Sequence, residues 1–170
     1  MPQLDFNRTS TPGIGLNTYI APALAGYIKH PLIFSTDVAG EVVEVGPGVQ
    51  RFRLGDRVCG SAAAIAKEVN RPAEGAFQLY TVTRQNILTP IPPSITDEPA
   101  CVLGLGLGTA AYGLFHPDYL GRSGLPRTVI ITGGTSSVGS NAVRLAVGAG
   151  YQVLFTSSLK NFDYVKGVGA

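Results

Sequence analysis

Two stretches of this 170-residue chain carry glycines at spacings that suit a phosphate group, and one of them supports two readings. Gly134-x4-Gly139 has the spacing of a triphosphate-binding loop. Such a loop needs a lysine to neutralise the β- and γ-phosphates and a hydroxyl to hold Mg²⁺ directly after the second glycine. Ser140-Asn141 stand there instead, which argues against NTP hydrolysis. Gly106-Leu-Gly-Thr-Ala-Ala111 is a literal G-x-G-x-x-A. It has no strand before it and no second strand at the proper distance after it, so close packing of a glycine-rich helix is the better reading. Gly133-Gly-Thr-Ser-Ser-Val-Gly139 has the whole context. An apolar strand, Thr128-Val-Ile-Ile-Thr132, precedes it, and a helix from Val138 follows it.

As a dinucleotide loop this segment reads Gly134-Thr-Ser136-Ser-Val-Gly139, with Ser136 in place of the middle glycine. The amides of Ser136, Ser137, Val138 and Gly139 then lie at a helix N-terminus, where the dipole favours a pyrophosphate. The competing reading is a serine-capped helix start with no ligand. An NAD-binding unit places Asp or Glu about 20 residues downstream, at the end of the second strand, to hold the ribose 2′-hydroxyl. Here that strand, Tyr151-Gln-Val-Leu-Phe-Thr156, runs into Ser157-Ser-Leu-Lys-Asn161, with no acid before Asp163. A carboxylate repels a 2′-phosphate, whereas hydroxyls and Lys160 attract one, so NADP(H) is the expected cofactor. Lys160 as a plain surface charge is the alternative.

The elements that must position this loop follow from periodicity. Val138, Ala142, Leu145 and Ala146 share one helical face, and Gly148 and Gly150 end that helix. Strand, glycine turn, helix and strand form one βαβ unit of a parallel sheet, and Asn161 caps a further helix. Upstream, Thr96 caps a glycine-interrupted apolar run to Phe115, expected as one buried helix. Earlier still, Val43 and Val45 alternate with Glu44, Phe52 and Leu54 alternate with Arg51 and Arg53, and an alternating strand starts at Ala76. Ile87, Leu88 and Ile91 lie among prolines, as in a loop or edge strand. Short strands and frequent turns indicate a small β barrel or sandwich. Residues 1 to 30 show little periodicity.

Composition narrows the function. Apolar residues make up 45% and charged residues 14%, against about 25% charged in an average domain. That balance excludes disorder, and a net charge of +2 provides no basic stripe for nucleic acid. The uncharged apolar run over residues 100–115 is too short to span a membrane. No signal peptide is visible, so a cytoplasmic location is expected. Cys59 and Cys101 are too few for a disulfide framework or a four-cysteine zinc site, and reduced thiols are the plain reading.

The segment Pro31-Leu-Ile-Phe-Ser-Thr-Asp-Val-Ala-Gly-Glu-Val-Val-Glu-Val-Gly-Pro-Gly-Val-Gln-Arg-Phe-Arg-Leu-Gly-Asp-Arg-Val resembles the GroES-like part of medium-chain dehydrogenases/reductases. Glu74-Gly-Ala-Phe-Gln-Leu-Tyr and residues 133–139 fit the same family, closest to its zinc-independent quinone oxidoreductases and fungal trans-acting enoyl reductases. The resemblance covers about residues 28 to 170. It implies an α/β-plus-β fold: a GroES-like β barrel domain over residues 1–118, then the start (one βαβ unit) of a Rossmann-type NADP-binding sheet over residues 119–170. It also implies NADPH-dependent reduction of a polarised C=C bond in an enone, enoyl thioester or quinone. A homo-oligomer, or a substrate borne on a carrier protein, is compatible with it. Zinc-dependent relatives carry Gly-His-Glu where this chain has Ser35-Thr36-Asp37, and His30 and His116 lie outside that motif, so no metal is expected. By the resemblance, Thr135, Ser136, Ser137, Val138 and Gly139 meet the cofactor phosphates. Ser158, Leu159, Lys160 and Asn161 surround the 2′-phosphate, and residues 100–109 lie near nicotinamide and substrate. Asp37 is read as structural, closing a turn. Tyr27 is a loose proton-donor candidate, and no catalytic residue is assigned.

Against the family pattern, residues 1–27 show no counterpart of its first strands, and one βαβ unit builds only the adenosine side of the crevice. The expectation is therefore a chain that is inactive by itself, or stable only with a partner or further segments. The alternative function is a truncated, non-catalytic paralogue with at most weak nucleotide binding.

Overall fold

The computed structural model describes residues 3–7, 28, 31–121 and 128–169. They form two compact units, Met1–Leu105 and Gly106–Ala170. The first unit holds a five-stranded antiparallel sheet of β1 (Gln3–Asn7), β2 (Asp37–Val45), β3 (Arg57–Ser61), β4 (Tyr80–Arg84) and β5 (Leu88–Pro90), in the order β4-β1-β2-β3-β5. β1 corrects the reading of an N-terminus without strands, because it lies inside the sheet between β2 and β4. Its signal is the alternation of Leu4 and Phe6 with Gln3, Asp5 and Asn7, only five residues long.

The core of this sheet gathers Val38, Val42, Phe52, Val58, Ala62, Ala76 and Leu88. On β2 the buried period-two set is therefore Val38, Gly40 and Val42, while Val43 and Val45 are exposed, contrary to expectation. Pairing with β1 shifts register between Asp5 and Phe6, and such an irregularity re-aims the side chains beside it. Phe52 is buried as its alternation suggested, but Leu54 is exposed beside the turn at Gly55, whose φ is +86°. β4 starts at Tyr80 rather than Ala76, since the Ala76 and Phe77 amides are engaged by the carbonyl of Phe34. Its inward residues are Thr81 and Thr83, whose hydroxyls donate to the Gly75 and Ser61 carbonyls, each at 3.0 Å. Burying a threonine this way leaves no orphaned hydroxyl. β5 is an edge strand, as its prolines implied.

The single helix expected up to Phe115 is two helices, α1 (Asp97–Cys101) and α2 (Leu103–Phe115). The break falls at Val102, with φ −90° and ψ −1°. A helix that restarts at Leu103 has open N–H groups in its first turn, and the buried carboxylate of Asp37 accepts the one from Leu105 at 2.6 Å. Asp37 is structural, as read, but it caps a helix rather than closing a turn.

The second unit contains the parallel pair β6 (Thr128–Ile131) and β7 (Gln152–Phe155), with α3 (Ser137–Gly148) and α4 (Phe162–Gly167). Ala110, Leu114, Ile131, Ala142, Val143, Ala146 and Val165 are its core. The division between the compact units falls within α2, after Leu105, and Ala110 and Leu114 belong to the second core. Of the paired residues Ile130 and Leu154, each is more than half exposed.

Candidate functional site

The glycine loop leaves β6 and enters α3 as the sequence indicates. Ser136 is the N-cap: its Oγ accepts from the Gly139 amide at 2.9 Å and donates to the Gly133 carbonyl at 2.9 Å. The Ser136 amide donates to the same carbonyl, also at 2.9 Å. Two of the four expected amides are therefore used by the loop itself. Among the described residues, the N–H groups of Ser137 and Val138 have no acceptor. These two point from the helix start with the favourable end of its dipole. The Val138 side chain packs on the core and the Ser137 hydroxyl faces Gly106 of α2, so both residues offer a ligand their backbone. Thr135 is half-buried beside them.

Glycine is required at position 139 and fits most easily at position 134. A Cβ at Gly139 would collide with the Gly133 carbonyl oxygen, and one at Gly134 would lie 3.0 Å from Val165 Cγ1. Close passage of helix start over loop is the role of the last glycine in a dinucleotide fingerprint. The serine at the middle position adds the cap that a glycine lacks. G-x-G-x-x-A at residues 106–111 lies inside α2, and Gly106 is buried where a Cβ would sit 2.5 Å from Ser137 Oγ. It is a packing glycine, as read.

Because β6 and β7 are parallel, their C-terminal ends open on the same edge. Thr156, which the sequence reading left without a role, ties them together. Its Oγ1 accepts from the Gly133 amide at 3.1 Å and its carbonyl from the Gly134 amide at 3.0 Å. Beyond it, Leu159–Asn161 form a 3₁₀ turn before α4. Ser158, Leu159 and Lys160 are exposed and Asn161 is half-buried. Asn161 precedes α4 as expected, yet its side chain makes no cap hydrogen bond. The structure thus joins the 133–139 loop to the strand that leads into residues 158–161, with no carboxylate before Asp163. Two open amides at a glycine-walled helix start, with an ammonium on the neighbouring strand's exit, are chemically suited to phosphate groups of a dinucleotide.

Other candidates are dispersed. Tyr27 and His30 lie outside the described residues. His116 stacks on Tyr112, with ring centroids 4.3 Å apart, and its Nδ1 accepts from the Asp118 amide at 3.3 Å. Among the described residues no three His, Cys, Asp or Glu side chains cluster, and no helix is long and apolar enough to cross a membrane.

Residues 11–93 match the alcohol dehydrogenase GroES-like domain. The dehydrogenase pigH of Monascus ruber is 49% identical over 85% of this chain, and the trans-enoyl reductase himH of Aspergillus japonicus 37% identical over 84%. The chain spans 41% and 43% of those two proteins, less than half their length. An alcohol dehydrogenase superfamily protein from Novosphingobium aromaticivorans superposes on 99% of the chain and 49% of its own, at TM-score 0.82 and 30% identity. Mycobacterial Rv1454c, solved complexed with NADPH, has TM-score 0.77 and 23% identity over 99% of this chain and 48% of its own. With an alcohol dehydrogenase GroES-like domain over residues 11–93 followed by the start of a parallel sheet, the chain is similar, over less than half of their length, to dehydrogenases and trans-enoyl reductases of the medium-chain dehydrogenase/reductase type.

Proposed function

We propose that this chain serves an NADPH-dependent, zinc-independent oxidoreductase of the cytoplasm that reduces a polarised C=C bond in an enone, enoyl thioester or quinone. The observation that carries the reading is the pair of open amides at Ser137 and Val138, on the same sheet edge as a β7 exit that offers Lys160 and hydroxyls but no carboxylate. The bound nicotinamide supplies hydride chemistry, while the protein supplies binding and electrostatics. Here the Ser137 and Val138 amides would hold phosphate, Ser136 would keep the loop closed, and Lys160 would face the 2′-phosphate. NADPH in the mycobacterial neighbour and the trans-enoyl reductase among the relatives support cofactor and reaction class.

The test is a titration of the full 170-residue chain with NADPH and with NADH, followed by calorimetry. A charge-assisted hydrogen bond is worth about 1.5–3 kcal/mol, so NADPH should bind about tenfold tighter or more. Equal affinities, or no binding, would refute the NADPH reading. A second reading, nucleotide binding without turnover, rests on the parallel sheet having two strands among the described residues. NADPH binding with no oxidation by an enal or a quinone would favour it.

A further inference from the structure

The two cysteines, 42 positions apart in sequence, meet in the first unit. Cys59 on β3 and Cys101 at the end of α1 belong to one buried cluster with Ala39, Ile91 and Ala100, at 5% and 1% exposure. Their approach follows from the way α1 lies along β3. Arg57 Nε donates to Asp97 Oδ1 at 3.1 Å, which pins the start of the helix to the start of the strand. Two residues along a strand advance about 6.6 Å, and four along a helix about 6 Å. Cys59 stands two residues after Arg57 and Cys101 four after Asp97, each on the same face as its predecessor. The next point of contact continues the same path: a Cβ at Gly104 would lie 2.5 Å from the Gly60 carbonyl. Cys59 and Cys101 lie between these two contacts along the seam, in the same buried cluster.

We propose that Cys59 and Cys101 are a latent dithiol that a low-molecular-weight disulfide oxidises to an intramolecular disulfide, locking α1 onto β3. One protein thiol displaces a thiol from the oxidant, giving a mixed disulfide. The second protein thiol then displaces the other. The protein S–S bond forms, the oxidant's S–S bond breaks, and the two protein thiol protons end on the two released thiols. Burial raises the Cys59 pKa, with the charge of Asp97 and the neighbouring Cys101 adding to it, so the reduced pair is unreactive while the seam stays closed. The lock would hold the helix that leads, through Val102, into the Asp37-capped turn of α2.

The test incubates the full chain with oxidised glutathione in urea below its unfolding transition, then maps peptides without reduction. The expected product is a monomer with Cys59 joined to Cys101, both thiols lost together, and a melting temperature above that of the reduced chain that dithiothreitol reverses. The Cys101→Ala variant should instead keep glutathione on Cys59. Disulfide-linked dimers, a lasting glutathione adduct on the unsubstituted chain, thiols that stay reduced, or a linked chain that melts lower would each overturn the proposal.

Discussion

The carboxylate of Asp37, the first residue of β2, accepts the backbone N–H of Leu105 in the first turn of α2 at 2.6 Å. Burial pushes the Asp37 pKa up, and the Leu105 hydrogen bond opposes that shift without cancelling it. The folded chain therefore holds this proton more tightly than the unfolded chain does. The resulting stabilisation is fully present below the ordinary aspartate pKa and is lost as pH rises through the folded value. Asp37→Asn keeps an acceptor and removes the titration, so the variant should match or exceed the parent at neutral pH and show a flatter acid-to-neutral profile. Asp37→Ala strands the Leu105 amide and should cost about 1–3 kcal/mol. Thermal melts across pH check both; an Asn variant that melts well below the parent at neutral pH would count against this account.

The glycines of α2 separate by what surrounds them. A Cβ at Gly104 would meet backbone, the Gly60 carbonyl at 2.5 Å, whereas Gly108 and Gly113 have open space around them. Alanine in an exposed helix interior is favoured over glycine by roughly 0.8–1 kcal/mol. Gly108→Ala and Gly113→Ala should each stabilise by about that amount, and Gly104→Ala should destabilise by about 1–3 kcal/mol through overpacking. Urea unfolding of the three variants measures this, and a stabilised Gly104→Ala would contradict the packing described.

Glu74 is fully buried, with Arg84 Nε 3.6 Å from its Oε2 and Arg71 3.3 Å from its Oε1. The Arg84 side chain is 26% exposed and that of Arg71 51%. Removing the less exposed partner of a buried charge costs about 3–5 kcal/mol at the upper end, while an exposed ion pair is worth about 0–1 kcal/mol. Arg84→Met should therefore destabilise far more than Arg71→Met. Similar unfolding midpoints for the two variants would show that Arg84 is not the dominant partner of the buried charge.

Much of this arrangement is legible in the residues, and the failures share a cause. The strand, glycine turn, helix and strand around residues 133–139 rest on local signals, and the structure has them where expected. The errors arise where a distant segment decides. Val43 and Val45 alternate as well as Val38 and Val42 do, and the core built with Phe52, Val58 and Leu88 from other segments takes the second set. Nothing local breaks the helix at Val102, because the acceptor that stabilises a fresh start is Asp37, 68 residues before the Leu105 amide it accepts. Two of the four loop amides are spent inside the turn, that of Gly139 on the Ser136 hydroxyl and that of Ser136 on the Gly133 carbonyl, and spacing alone does not reveal this.

The loop and the β7 exit should separate cleanly in binding. Lys160 is exposed and Gly139 is buried against the Gly133 carbonyl, so one substitution changes charge and the other changes shape. Lys160→Glu places a carboxylate where a 2′-phosphate would lie. Losing a charge-assisted bond of about 1.5–3 kcal/mol should weaken NADPH by roughly ten- to a hundredfold and leave NADH nearly unchanged. Gly139→Ala forces the helix start away from Gly133, shifts the Ser137 and Val138 amides, and should weaken both cofactors alike. The Gly148→Ala control has nothing within 4 Å of the added methyl and should bind as the parent does. Calorimetric titration of each variant with both cofactors decides the matter. If Lys160→Glu weakened NADPH and NADH equally, Lys160 would not be reading the 2′-phosphate. If Gly139→Ala spared both, the phosphates would lie elsewhere than at the start of α3.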